Sequence, residues 1–128
     1  MKKFVFILSL VITSVSLSAQ LAGSKWKGTL QGDNPQEVVF EFRKDSAVVY
    51  TTAENSHVET MTYTVKDNVL TLIKAHGISD CDGGPGKYSI TIEKDTMTMK
   101  RSEDNCGDRV EAIDGVKWVR MKSGTGEK

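Results

Sequence analysis

The sequence predicts an all-β protein: an eight-stranded antiparallel up-and-down barrel around one core, with one disulfide. Three features of the 128-residue chain point there. Strand signals recur at intervals of roughly 8–12 residues. The stretches between them are short and rich in Asp, Asn and Gly, as turns between neighbouring antiparallel strands require. Several strands alternate apolar and polar residues, the pattern of a sheet with one covered and one wet face. No stretch after the leader shows helical periodicity. Eight such strands without a covering helix remove their edges by closing on themselves. A flattened two-sheet sandwich is the competing arrangement.

Residues 1–19, MKKFVFILSLVITSVSLSA, have the build of a secretory signal peptide. Lys2 and Lys3 form a positive start, Phe4 to Val15 an apolar run, and small residues lead to Ala19. The run is too short for stable membrane insertion. No cysteine stands near the expected cut, so no lipid anchor is expected. Residues 20–122 then form one domain, and residues 123–128 a disordered polar tail. The 17 basic and 17 acidic residues balance. Losing Lys2 and Lys3 leaves a slight acidic excess, with both signs interspersed. Nothing there steers the chain to nucleic acid or an anionic membrane.

The predicted strands are Trp26–Leu30, Glu37–Arg43, Ala47–Thr52, Val58–Lys66, Val69–Lys74, Lys87–Glu93, Thr96–Arg101 and Val116–Lys122. In the second, Val38, Phe40 and Phe42 share one face, opposite Glu37, Glu41 and Arg43. In the sixth, Tyr88, Ile90 and Ile92 oppose Lys87, Ser89, Thr91 and Glu93. Met97 and Met99 alternate with Thr98 and Lys100. Gly32 to Pro35, Lys44 to Ser46, Lys66 to Asn68 and Glu93 to Asp95 supply the turns. The segments Tyr63–Leu72 and Tyr88–Met99 echo one another, both being hairpins with an Asp in the turn.

Cys81 and Cys106 are the only cysteines. An even count in a secreted chain reads as a disulfide. Cys81 lies just before one strand of a hairpin and Cys106 just after its partner, so the two flanks meet at the hairpin's open end. The stretch between them and the strand, Asp82-Gly83-Gly84-Pro85-Gly86, then reads as a pinned loop at one barrel mouth.

Several segments resemble a small bacterial lipocalin-like protein of the calycin type. Leu21-Ala22-Gly23-Ser24-Lys25-Trp26-Lys27-Gly28 is similar to that family's glycine–tryptophan opening, although two residues rather than one separate Gly23 from Trp26. Gly86-Lys87-Tyr88 followed by Lys94-Asp95-Thr96-Met97-Thr98-Met99 resembles its aromatic hairpin, with Ile90 where related chains often carry a second aromatic. Asp104-Asn105-Cys106-Gly107-Asp108-Arg109 and the closing Trp118-Val119-Arg120 resemble its ending. The resemblance implies a barrel with an internal cavity and an extracytoplasmic binder of small, often apolar molecules. It also implies that Trp26 closes one barrel end with Arg120 across it. Read as residues alone, Trp26 is equally an ordinary core side chain and Arg120 a surface one.

The sites for chemistry are sparse. Asp80 and Asp82 begin like a calcium loop, but Gly84 and Gly86 fall at the next liganding positions and Thr91 where the closing Glu belongs. The glycines match no phosphate-binding spacing, and a strand follows rather than a helix. His57 and His76 stand alone in sequence, without the spacing of a zinc site. They remain formal candidates for axial haem ligands. No nucleophile elbow is present. Glu103 and Asp104 fall in a loop and are expected to be solvated. No catalysis and no cofactor are therefore expected. The expected function is binding of a small, partly apolar molecule, outside the cytoplasm, in a cavity lined by Phe40, Phe42, Tyr63, Leu72, Tyr88, Ile90, Met97 and Met99. Against it stands a barrel filled by those same side chains, working as a protein-binding module through loops Asp80–Gly86 and Ser102–Asp108.

Overall fold

A computed structural model describes residues 17–32 and 34–122. Most of the expected leader and all of the expected tail lie outside the described residues. Eight strands run in order: β1 (Lys25–Leu30), β2 (Gln36–Phe42), β3 (Ser46–Thr51), β4 (His57–Lys66), β5 (Val69–Gly77), β6 (Gly86–Glu93), β7 (Thr96–Glu103) and β8 (Lys117–Arg120). Each pairs antiparallel with the next, and β1 pairs with β8 through Trp26 opposite Arg120 and Lys27 opposite Val119. That last pairing makes a closed barrel rather than a sandwich. The predicted strands all form. β5 and β7 run on to Gly77 and Glu103, while β8 stops short of Met121 and Lys122.

Two short helices depart from the all-strand expectation. α1 (Leu17–Leu21) crosses the predicted cut after Ala19, and its Leu21 is fully buried under the barrel. α2 (Gly107–Ile113) occupies the stretch expected to be loop. Seven residues make fewer than two turns, too few for a helical period to emerge from sequence.

The core is dense. Trp26, Phe42, Leu70, Leu72, Tyr88, Met97, Met99 and Trp118 are fully buried, and Phe40 and Ile90 nearly so. Phe40 stacks on Phe42 with ring centroids 4.7 Å apart and meets Trp118 edge to face at 5.3 Å. Gly28 is needed for this: a Cβ there would lie 2.6 Å from the Trp118 ring. Gly28→Ala is expected to destabilise the barrel by about 1–3 kcal/mol through overpacking, measured as a lower denaturant midpoint.

One barrel end is sealed. Leu21 O accepts from the Ser24 hydroxyl, which in turn accepts from Trp26 Nε1 at 2.7 Å. The Arg120 guanidinium carbon sits 4.4 Å from the Trp26 ring centre. Arg120 remains partly open to water, so Arg120→Ala is expected to cost only about 0.5–1 kcal/mol.

Candidate functional site

The opposite end carries the loop after β5, the Cys81–Cys106 disulfide and α2. The bridge spans Cα atoms 5.4 Å apart and closes a sequence separation of 25 residues. It ties the glycine-rich loop to the residue that precedes α2. Asp80 N–H donates to the Asp108 carboxylate at 2.9 Å, a second tie between the same two segments. Among the described residues no group of three or more His, Cys, Asp or Glu is placed to hold a metal. No helix among them is long and apolar enough to cross a membrane.

Beneath the bridge lies a buried polar cluster of Tyr88, Asp104 and Arg109. Asp104, expected in a solvated loop, is 3% exposed. The reason is α2, which starts two residues after Asn105 and brings Arg109 back over it. Arg109 Nε and Nη2 donate to the two Asp104 oxygens at 2.6 and 2.8 Å. The Tyr88 hydroxyl and the Cys106 backbone N–H donate to the same carboxylate. Arg109 Nη2 also donates to Gly84 O at 3.0 Å, holding the pinned loop. Gly86 permits this approach, since a Cβ there would lie 2.4 Å from Asp104 Oδ2. A bidentate, fully satisfied carboxylate of this kind orients its cation firmly.

The cluster's protonation follows from its geometry. Burial alone would raise the Asp104 pKa. Hydrogen bonds from Arg109, Tyr88 and the Cys106 N–H outweigh burial and hold it below the ordinary value of 3.8. Burial, then the hydrogen bond to Asp104 and its negative charge, push the Tyr88 phenol far above its ordinary value of 10.0. Asp104's contribution to stability is therefore complete above about pH 3.8 and is lost as pH falls below it. Tyr88's contribution is complete below pH 10.0 and is lost as pH rises above it. Urea midpoints are expected to be flat between those limits and to fall outside them. Asp104→Asn should flatten the acid limb, and Tyr88→Phe part of the alkaline limb, where the burial-raised Tyr63 also contributes.

Next to this cluster is an apolar cavity of about 70 Å³. Leu30, Phe40, Val49, Val58 and Met61 wall it from the barrel, and Ala112 and Ile113 close it from α2. Glu59, Ser79, Asp108 and Arg109 form its polar fringe. Glu59 points inward from β4, is 9% exposed, and accepts from the Ser79 hydroxyl. On the outer side, a groove of about 490 Å³ runs along the disulfide between the two loops, with Asp80, Asp82, Glu103 and Asp108 on its walls.

Of the eight side chains expected to line a cavity, Phe40 alone borders this one. Phe42, Leu72, Tyr88, Ile90, Met97 and Met99 are in the packed core, and Tyr63 is half-buried against Phe42 with its hydroxyl donating to Arg43 O. Sequence reasoning missed every other residue of the lining, among them Glu59, Arg109, Ala112 and Ile113. Glu59 was legible in principle: it alternates with Met61 on the inward face of a strand. The α2 residues were not, because the helix itself was not. His57 and His76, distant in sequence, are brought together on the exposed face of β4 and β5 with ring centroids 5.2 Å apart. His57 Nε2 is already hydrogen-bonded to the Thr60 hydroxyl.

No family model matches this chain, and neither a curated protein nor a solved structure is significantly similar to it.

Proposed function

We propose that this protein is an extracytoplasmic, lipocalin-like barrel that binds a small, partly apolar molecule in the cavity beneath α2. The observation that carries this reading is the cavity itself. It is a small, half-open apolar pocket at the barrel end opposite Trp26 and Arg120, and it has a few polar groups at its edge. Ligand sites have that composition: mostly apolar walls, few polar atoms. At one water-sized site per 10–15 Å³, about 70 Å³ takes on the order of five heavy atoms. The ligand is therefore a short chain or small ring fragment, or the tip of a longer molecule entering beside α2.

The compartment assignment rests on two supports. A disulfide persists in oxidising surroundings such as the periplasm or the cell exterior. The Lys2-Lys3 start and the apolar run Phe4–Val15 have the order of a cleaved leader. Binding rather than catalysis is favoured because the cluster's carboxylate is fully occupied by its own arginine, tyrosine and backbone.

Protein purified from its native host and then denatured is expected to release one small molecule in near-stoichiometric amount, identified by mass spectrometry. Ala112→Leu, which fills the cavity, should abolish that release while the barrel stays folded. An empty protein that binds no small apolar probe would contradict the reading and return weight to the loops Asp80–Gly86 and Ser102–Asp108.

A further inference from the structure

The cavity's fringe also says what kind of molecule suits it, granted that it is a ligand site. Two buried side-chain atoms among the described residues lack a hydrogen-bond partner: Arg109 Nη1 and Trp118 Nε1. Both are donors. The buried interior is therefore short of acceptors, which is unusual because buried polar atoms are nearly always paired. Arg109 borders the cavity, is 6% exposed, and has Nε and Nη2 engaged by Asp104. In a planar guanidinium this leaves Nη1 facing away from that carboxylate. Trp118 stands one ring behind the wall, against Phe40.

Charge decides between acceptors. Arg109 is already neutralised by Asp104. Glu59 and Asp108 border the same space, so a bound anion would meet two further carboxylates. A neutral oxygen meets neither obstacle. We infer that the cavity selects a neutral apolar molecule carrying a carbonyl or similar acceptor oxygen, which takes its hydrogen bond from Arg109 Nη1.

Three probes of about five heavy atoms separate the possibilities: butanone, 2-methylbut-1-ene and propanoate. They share size but differ in being a neutral acceptor, a pure apolar isostere and an anion. Each is titrated into the purified protein and followed by NMR, using the methyl groups of Met61 and Ile113 and the guanidinium N–H signals of Arg109. Butanone is expected to bind at least tenfold more tightly than either other probe, and to shift the Arg109 signals as well as the methyls. Equal binding of butanone and the alkene, with the Arg109 signals unmoved, would overturn this inference while leaving the apolar site intact. Tightest binding by propanoate would overturn the charge reasoning behind it. Failure of all three would overturn both the inference and the ligand cavity on which it rests.

Discussion

Asp104→Ala is expected to destabilise the fold by about 3–5 kcal/mol. The carboxylate accepts four hydrogen bonds, from Tyr88, Arg109 (two) and the Cys106 N–H. Removing it leaves a guanidinium buried to 6% exposure with no counter-charge and a phenol with no acceptor. Uncompensated buried charge is far costlier than the net worth of the intact pair. For a domain of this size the melting temperature should drop by more than about 12 °C. The loss should be concentrated at α2, because Arg109 is what docks it. Hydrogen exchange at the Val110 and Asp114 amides, which close the helical turns, should accelerate before exchange in β2 or β3. Asp104→Asn keeps the shape and part of the acceptor capacity and is expected to cost less than Ala. An Ala variant within 1 kcal/mol of the parent would show that the cluster is not what holds the mouth.

Replacing both cysteines, Cys81→Ser with Cys106→Ser, is the second large effect. Releasing a loop of 25 residues is expected to cost about 3–4 kcal/mol in the chain-entropy picture. Unlike the Asp104 change, this acts chiefly by freeing the unfolded chain. The folded barrel should keep its strand register and its buried cluster, since Asp104 and Arg109 are bonded independently of the bridge. Chemical denaturation with and without reductant measures the difference. The reduced parent should match the double serine variant, and a parent whose midpoint ignored reductant would contradict the account.

The barrel was legible because its determinants are local. Val38, Phe40 and Phe42, opposite Glu37, Glu41 and Arg43, mark which face is inward. Turn residues such as Asp67 and Asn68, both at positive φ, fix where the chain reverses. The disulfide followed from where Cys81 and Cys106 flank one hairpin. The site was much less legible. Its cavity lies between strands and a helix of seven residues, and nothing in Gly107–Ile113 announces a helix before tertiary contacts form. The burial of Asp104 depends on that helix, so the residue looked like a loop carboxylate. The histidine pair shows the same limit: His57 and His76 meet only through the register of β4 with β5. The inward aromatic and methionine positions were assigned to the correct side of the sheet, yet whether they pack together or enclose space depends on side-chain volumes summed across the barrel.

Xenon reports whether an accessible apolar space exists beneath α2. Crystals of the protein pressurised with xenon should show one ordered atom bounded by Phe40, Met61 and Ile113, as dry apolar cavities of sufficient size do. The same experiment on Ala112→Leu should show none. Parent crystals with no xenon at that position would contradict the account, because a space that rejects a single apolar atom does not hold a ligand.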